Sequence, residues 1–166
     1  LTRRAADYGV HTGAITVDLQ AVRERKRDIV TSFRSGSRSA IENTDGLDLI
    51  EGEASFIGPQ TIAVTFVDAP TQRLSAERFV INTGERPFIP PIDGLDAASY
   101  LTSTSIMELA DVPDHLIVLG GGYIGLEFGQ MFRRFGAEVT IIERGDQLVH
   151  REDPDVANML TDILRE

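Results

Sequence analysis

Three closely spaced glycines could hold a phosphate group. Gly120, Gly122 and Gly125 follow the apolar run 116–119 in a GxGxxG spacing. In such a turn the first glycine permits a tight bend, the second removes a Cβ that would block a phosphate, and the third lets the following helix pack on the preceding strand. The helix start adds free N–H groups and the positive end of a dipole. The predicted cofactor-binding residues of this turn are Gly120, Gly121, Gly122, Tyr123, Ile124 and Gly125.

An acidic residue stands where a nucleotide ribose would need an acceptor. A second predicted strand, Glu138–Ile142, is followed by Glu143, which lies 18 positions after Gly125. A carboxylate there can accept hydrogen bonds from the adenosine ribose, and its charge would repel a 2′-phosphate, so it favours NAD. Arg144 and Arg151 follow, and because arginine binds phosphate well, NADP stays possible. A glycine turn in an unrelated loop is the alternative interpretation.

The first half of the chain predicts one long helix and an antiparallel meander. Apolar residues recur at near-helical spacing over residues 17–33, with Asp18 near the start and Gly36 just past the end. Short strand-like stretches follow, separated by turn residues. These predicted strands are Leu47 to Phe56, Thr61 to Val67 and Arg78 to Asn82.

The second half predicts a βαβα unit of the Rossmann type. Prolines break the pattern between residues 87 and 94, so we place a domain boundary near Pro90, which divides the chain into residues 1–90 and 91–166. A short helix is expected over Thr102–Ala110, before the strand at Leu116. The last helix is expected to begin with Asp153 as its N-cap and Pro154 at its first position. The predicted fold class is α/β.

Composition excludes several classes of function. The 166 residues carry a net charge of −10, so nucleic acid is not an expected partner. No apolar run approaches the roughly 18 residues that a membrane span requires. The absence of cysteine excludes thiol chemistry within these residues and suits a cytoplasmic protein. The three histidines share no metal-ligand spacing, so no metal site is predicted.

Three segments, in this order, resemble the flavoprotein pyridine nucleotide-disulfide oxidoreductases of the dihydrolipoamide dehydrogenase and mercuric reductase type. Phe79–Pro87 followed by Pro90–Gly94 is similar to that family's ATG-x-RP…P-x-PG segment, with Asn82 in place of the usual alanine. Gly120–Glu127 is similar to its GGGYIGLE nucleotide turn, and Arg4–Val10 resembles the segment before its FAD-domain meander. The resemblance covers nearly the whole chain.

The resemblance implies an internal fragment of a larger enzyme. Residues 1–90 would be part of an FAD-binding domain, helix plus β-meander, and residues 91–166 the N-terminal part of a Rossmann-like NAD(P)-binding domain. In the family, hydride passes from NAD(P)H to the flavin of FAD and then to a disulfide or metal-ion acceptor. The implied partners are a pyridine nucleotide, the remainder of the flavoprotein chain and a second copy in a homodimer. Because the cysteine pair and the flavin GxGxxG are missing, the isolated chain is expected to be inactive.

The resemblance also implies roles for individual residues. Thr83 and Gly84 match positions that approach the flavin nucleotide, although a plain strand-ending turn is the alternative. Ala54 matches a position whose main chain meets the adenine. Tyr123 matches a tyrosine that covers the flavin ring until nicotinamide displaces it, and Glu127 an acid that pairs with a lysine outside this chain. A packed aromatic and a simple helix-start acid are the alternatives for these two.

Two other functions remain open on the sequence alone. The first is a stand-alone NAD-binding module without catalysis, which the lack of cysteine supports. The second is a minimal NAD dehydrogenase that acts directly on a substrate. It is disfavoured because no acid–base constellation accompanies the glycine turn.

Overall fold

The chain divides into two compact units. A computed structural model describes residues 2–165, except for the side chain of Arg3. One unit combines the chain up to Arg27 with the chain from Pro91 onward, and the other comprises Asp28–Pro90. Among the described residues, no helix is both long and apolar enough to cross a membrane.

Helix α1, Leu19–Glu42, belongs partly to each unit and is longer than predicted. Asp18 caps its start, since the side-chain oxygen accepts a hydrogen bond from the Ala21 N–H at 3.0 Å. The prediction that Gly36 lies past its end is wrong. A glycine inside a helix costs only about 1 kcal/mol relative to alanine, which neighbouring turns can outweigh. Beyond Glu42, side-chain donors satisfy carbonyls of the last turn, from Asn43 Nδ2 to Ser39 O and from Thr44 Oγ1 to Ala40 O, each at 2.7 Å.

The second unit contains a three-stranded antiparallel sheet in the order β1-β2-β3. Its strands are β1 Glu53–Gly58, β2 Thr61–Thr65 and β3 Gln72–Ser75. Val64, at the centre of the sheet, is buried. The first two predicted strands correspond to β1 and β2, with shorter bounds.

The third predicted strand, Arg78–Asn82, is wrong. The strand that pairs with β2 is the more polar segment Gln72–Ser75, because the short turn after β2 brings it into register, with Thr61 opposite Ser75. The apolar residues of 78–82 are not in a described strand, and Val80 is 93% exposed. Phe79 packs edge-on against Phe56, with ring centroids 5.1 Å apart.

The first unit contains the predicted parallel pair of strands. They are β4, His115–Leu119, and β5, Glu138–Ile142, in register from His115 opposite Glu138 to Leu119 opposite Ile142. Helix α2, Tyr123–Phe135, connects them, as a parallel pair requires. Helix α3, Pro154–Arg165, follows at the predicted place. The mixed helix-and-sheet architecture confirms the predicted α/β class.

A small core holds α2 against the sheet. Phe132 and Ala137 are each 1% exposed and cluster with Leu19 and Ile106. Ile106 belongs to a 3-10 helix, Ser105–Glu108. The helix predicted over Thr102–Ala110 forms only over these four residues. This core fixes the direction in which the N-terminus of α2 points.

Charged residues of α1 bind the 3-10 helix. The Glu108 carboxylate accepts hydrogen bonds from Lys26 and Arg27, and Arg23 Nη1 donates to the Glu108 carbonyl at 3.1 Å. Lys26 first and Arg27 second lower the pKa of Glu108, because both donate hydrogen bonds to its charged form. Arg23, Lys26 and Arg27 therefore hold a neighbouring segment in place.

Candidate functional site

The glycine turn joins β4 to α2 through a left-handed residue. Gly120 has φ +106°, a conformation that favours glycine, and its N–H donates to the Ile142 carbonyl at 2.8 Å. Gly122 is the extended N-cap of α2 and has no side chain to cap the helix. Because the first N–H groups of a helix have no partner inside it, the turn leaves donors for an anion.

Gly125 and Gly122 differ in the room around them. A Cβ on Gly125 would lie 2.6 Å from the Gly120 carbonyl oxygen and 3.0 Å from Val118 Cγ1, so close packing of α2 on β4 requires a glycine there. A Cβ on Gly122 would meet no atom within 4 Å. The space beside Gly122 is therefore open to a ligand, which is the condition that its predicted phosphate contact needs.

Glu143 contacts the glycine turn directly. Its Oε2 accepts a hydrogen bond from the Gly121 N–H at 2.6 Å, and its Oε1 accepts one from the Gly145 N–H at 2.8 Å. The pKa of Glu143 lies below its ordinary value because these N–H groups, Gly145 first and Gly121 second, stabilise the charged form. A carboxylate has about four lone-pair positions, so acceptor capacity remains for ribose hydroxyls.

The loop after β5 also contacts Gly121. The Val149 N–H donates to the Gly121 carbonyl at 2.8 Å, and Leu148 covers Gly121, which is buried. Val149 has φ +44°, a conformation that is rare and costly for a β-branched residue. Neither Leu148 nor Val149 was predictable as a site residue, because an apolar contact and a main-chain hydrogen bond leave no motif.

Tyr123 and Glu127 lie one helical turn apart at the start of α2. Tyr123 is 70% exposed, and Glu127 is exposed as well. Both line an open cavity of about 500 Å³ beside α2. Its lining residues are Tyr123, Leu126, Glu127, Gln130, Met131, Arg134, Phe135, Val149 and Leu160. An aromatic ring and a carboxylate are thus accessible next to the turn, and their implied flavin contacts remain predictions.

The remaining predicted residues are placed as follows. Arg144 is exposed next to Glu143 in the first unit. Ala54, Thr83 and Gly84 belong to the other unit. There, Ala54 lies in β1 opposite Val64, and Gly84 has φ +73° in a segment without regular secondary structure. The structure therefore brings together the predicted nucleotide residues that lie in the first unit.

Comparison with known proteins identifies the family. The family model described as pyridine nucleotide-disulphide oxidoreductase matches residues 5–166. The chain belongs to this family. The resemblance inferred from the three sequence segments is therefore confirmed, and the family is one of oxidoreductases.

Named relatives within the pyridine nucleotide-disulphide oxidoreductases cover most of the chain. It is 40% identical over 158 residues to the mercuric reductase of Bacillus cereus, covering 95% of this chain and 24% of that protein. It is 30% identical to the dihydrolipoyl dehydrogenase of Bacillus subtilis, covering 99% of the chain and 36% of the relative. The chain thus spans about a quarter to a third of the length of these relatives.

A solved structure of the family shares the fold. The HOCl-induced flavoprotein disulfide reductase RclA from Escherichia coli superposes with a TM-score of 0.79 at 35% sequence identity. The match covers 90% of this chain and 34% of that one.

Proposed function

We propose that this chain supplies the pyridine-nucleotide site of an FAD-dependent oxidoreductase. The whole enzyme would pass hydride from NAD(P)H to the flavin and onward to a disulfide or metal-ion acceptor, as a homodimer in the cytoplasm. The observation that carries the proposal is the glycine turn: Gly120 is left-handed, and open space surrounds Gly122 at the start of α2. The names of the relatives, mercuric reductase and dihydrolipoyl dehydrogenase, support the wider activity.

We assign the two halves of the chain to two domains of that enzyme. Residues 1–90 form part of the FAD-binding domain, and residues 91–166 form the first part of the NAD(P)-binding domain. The end of one compact unit at Pro90 supports this assignment. Residues up to Arg27 group with the segment from Pro91 onward, so the compact units coincide with the proposed domains only from Asp28.

The nucleotide binds through the turn and the acid after β5. The free N–H groups of α2 and its dipole hold the pyrophosphate against Gly122. Glu143 accepts hydrogen bonds from the ribose hydroxyls through the lone pairs that the Gly121 and Gly145 N–H groups leave unused. The negative charge of Glu143 favours NAD over NADP. Arg144 is the next residue in the chain, and its positive charge can bind a 2′-phosphate, so NADP remains a possible cofactor.

Tyr123 and Glu127 act at the reacting end of the nucleotide. The exposed Tyr123 ring is a flat surface that can stack on a flavin or give way to nicotinamide. Glu127 places a carboxylate in the same cavity, where it can hold a cationic partner. FAD, when bound, supplies the hydride-accepting chemistry, and these residues supply orientation and exclusion of water.

Ala54, Thr83 and Gly84 are the proposed flavin-side contacts. Gly84 has no Cβ and a left-handed backbone conformation, so its main chain can approach a nucleotide closely. An added Cβ there would meet no atom within 4 Å, so the space that a ligand would need is open.

A stand-alone NAD-binding module is the second candidate. Two observations favour it: the chain contains no cysteine, and the turn and its acid lie within a single compact unit. Such a module would bind NADH stoichiometrically, melt cooperatively and ignore FAD. Retention of FAD by the purified chain would therefore decide for the flavoenzyme assignment.

Titration of the chain with NADH and with NADPH tests the cofactor assignment. We expect wild-type protein to prefer NADH, and Glu143→Ala to narrow that preference because the repulsion of a 2′-phosphate is lost. Glu138→Ala, at the opposite end of β5, is the matched control and should keep the wild-type ratio. An unchanged ratio in Glu143→Ala would show that Glu143 does not select the cofactor.

A further inference from the structure

The backbone N–H and the carbonyl of Gly121, in the glycine turn, both form hydrogen bonds with the segment that follows β5. The Gly121 N–H donates to Glu143 Oε2 at 2.6 Å, and the Gly121 carbonyl accepts from the Val149 N–H at 2.8 Å. Gly121 occupies the unspecified position between the first two glycines of the motif, so its identity is not needed for a phosphate contact.

Packing gives Gly121 a different reason to be glycine. A Cβ there would lie 2.5 Å from Leu148 Cδ2 and 3.2 Å from Glu143 Oε2. The space that a side chain would need is filled by the loop after β5. By contrast, a Cβ on Gly122 would meet nothing within 4 Å. The two adjacent glycines therefore face different surroundings: Gly121 faces the protein and Gly122 faces open space.

The loop is held in this position by its own hydrogen bonds. Glu143 Oε1 accepts from the Gly145 N–H at 2.8 Å, Gln147 Nε2 donates to the Glu152 carbonyl at 3.0 Å, and the Glu152 N–H donates to the Val149 carbonyl at 2.7 Å. Val149 adopts φ +44° in this arrangement. A β-branched residue persists in such a conformation only where its surroundings fix it.

We propose that the segment from Glu143 to Glu152 is a latch that holds the glycine turn in its phosphate-accepting shape. Glu143 is therefore a positioning residue for the turn, through Gly121, in addition to any contact that it makes with a ribose. The proposal rests on the proposed nucleotide function of the turn. It predicts that the loss of Glu143 weakens binding of a nucleotide that has no ribose hydroxyl groups for Glu143 to contact.

Two ligands that differ only in those hydroxyls separate the two roles. ADP and 2′,3′-dideoxy-ADP share the adenine and the pyrophosphate, so calorimetric titration of both into wild-type chain, Glu143→Ala and Glu143→Gln isolates the hydroxyl contact. We expect Glu143→Ala to weaken binding of dideoxy-ADP by about tenfold, because the ligand must then order a turn that Glu143 already holds in wild type. Glu143→Gln, which keeps one acceptor oxygen, should lose less. Glu138→Ala, at the start of β5, should bind both ligands as wild type does.

If Glu143→Ala weakens ADP but leaves the affinity for dideoxy-ADP unchanged, Glu143 acts through the ribose alone. The latch is then overturned, while the proposed nucleotide function stands. If the wild-type chain binds neither ADP nor NADH, the proposed function of this chain fails instead.

Amide hydrogen exchange in the ligand-free chain tests the latch independently of ligand binding. We expect the Gly121 and Gly145 amides to be protected in wild type and to exchange at least about tenfold faster in Glu143→Ala. The Gly120 amide, which is bonded to the Ile142 carbonyl, is the internal control and should keep its rate. Equal exchange of Gly121 and Gly145 in wild type and variant would overturn the proposal, whatever the ligand titrations give.

Discussion

Two glycines of helix α2 face the sheet, and they differ in the room that each leaves for a side chain. An added Cβ on Gly125 would approach the Gly120 carbonyl oxygen to 2.6 Å, a backbone atom that cannot rotate away. On Gly129, four residues later, it would meet Ile141 and Val139 at 3.5 Å, which is ordinary van der Waals contact. Gly125, the glycine of the motif, therefore has less room for a side chain than Gly129 has.

Gly125→Ala should destabilise the chain, whereas Gly129→Ala should not. Overpacking against a fixed carbonyl costs typically about 1–3 kcal/mol. At Gly129 the helix propensity of alanine is favourable by up to about 1 kcal/mol. Urea unfolding of both variants measures the difference. Equal stability of Gly125→Ala and wild type would contradict the packing account.

The carboxylate of Glu143 links stability to pH. Its pKa in the folded chain is lowered from 4.5 by the N–H groups of Gly145 and Gly121. The unfolded chain therefore binds this proton more tightly. The stabilisation by Glu143 is then fully present above pH 4.5 and is lost as the pH falls through the lower folded pKa.

We expect wild type to exceed Glu143→Gln in urea midpoint at neutral pH and to lose this advantage in acid. Since Glu108 also has a lowered pKa, Glu108→Gln provides a separate comparison for the acid sensitivity of the rest of the unit. An advantage of wild type over Glu143→Gln that is constant between pH 7 and pH 3 would contradict the hydrogen bonds assigned to the carboxylate.

At the scale of elements, local periodicity and the parallel pair of strands were predictable, whereas the third strand of the meander and the end of α1 were not. Strand β5 was predicted with its observed bounds, because a strand, a glycine turn and a helix leave local signals in residue type and spacing. Strand β3, Gln72–Ser75, was missed because its partner is set by the register of the turn after β2 rather than by its own apolar content. The continuation of α1 past Gly36 was missed because its end depends on side chains of Asn43 and Thr44 that bond to helix carbonyls.

Gly36→Ala should stabilise helix α1. Gly36 lies inside the helix, and an added Cβ would meet no atom within 4 Å, so the substitution removes a backbone entropy cost of about 0.5–1 kcal/mol without a clash. Chemical denaturation measures the gain. Gly46→Ala is the contrasting variant: its φ of +78° is strained for alanine, and it should lose stability. A loss of stability in Gly36→Ala would show that α1 does not continue through this position.

At the scale of the whole molecule, the sequence predicted the family and the elements around the glycine turn, but not the loop that contacts Gly121. The GxGxxG spacing, Glu143 and the segment around Thr83 were each recognisable from residue type and order. The loop at Leu148 and Val149 was not, because its hydrogen bond to Gly121 joins main-chain atoms that every residue provides. The chain corresponds to 24% to 36% of the length of the named relatives, so full turnover belongs to the proposed longer enzyme.

Calorimetric titration of NADH into wild-type chain and Gly122→Asp tests the central claim most directly. Because the space beside Gly122 is open in the ligand-free chain, an aspartate there should be accommodated, and its charge should then repel the pyrophosphate. We predict saturable binding to wild type and no measurable binding to Gly122→Asp, with both chains unfolding cooperatively. NADH binding of equal affinity to both would contradict the assignment of this turn as the nucleotide site.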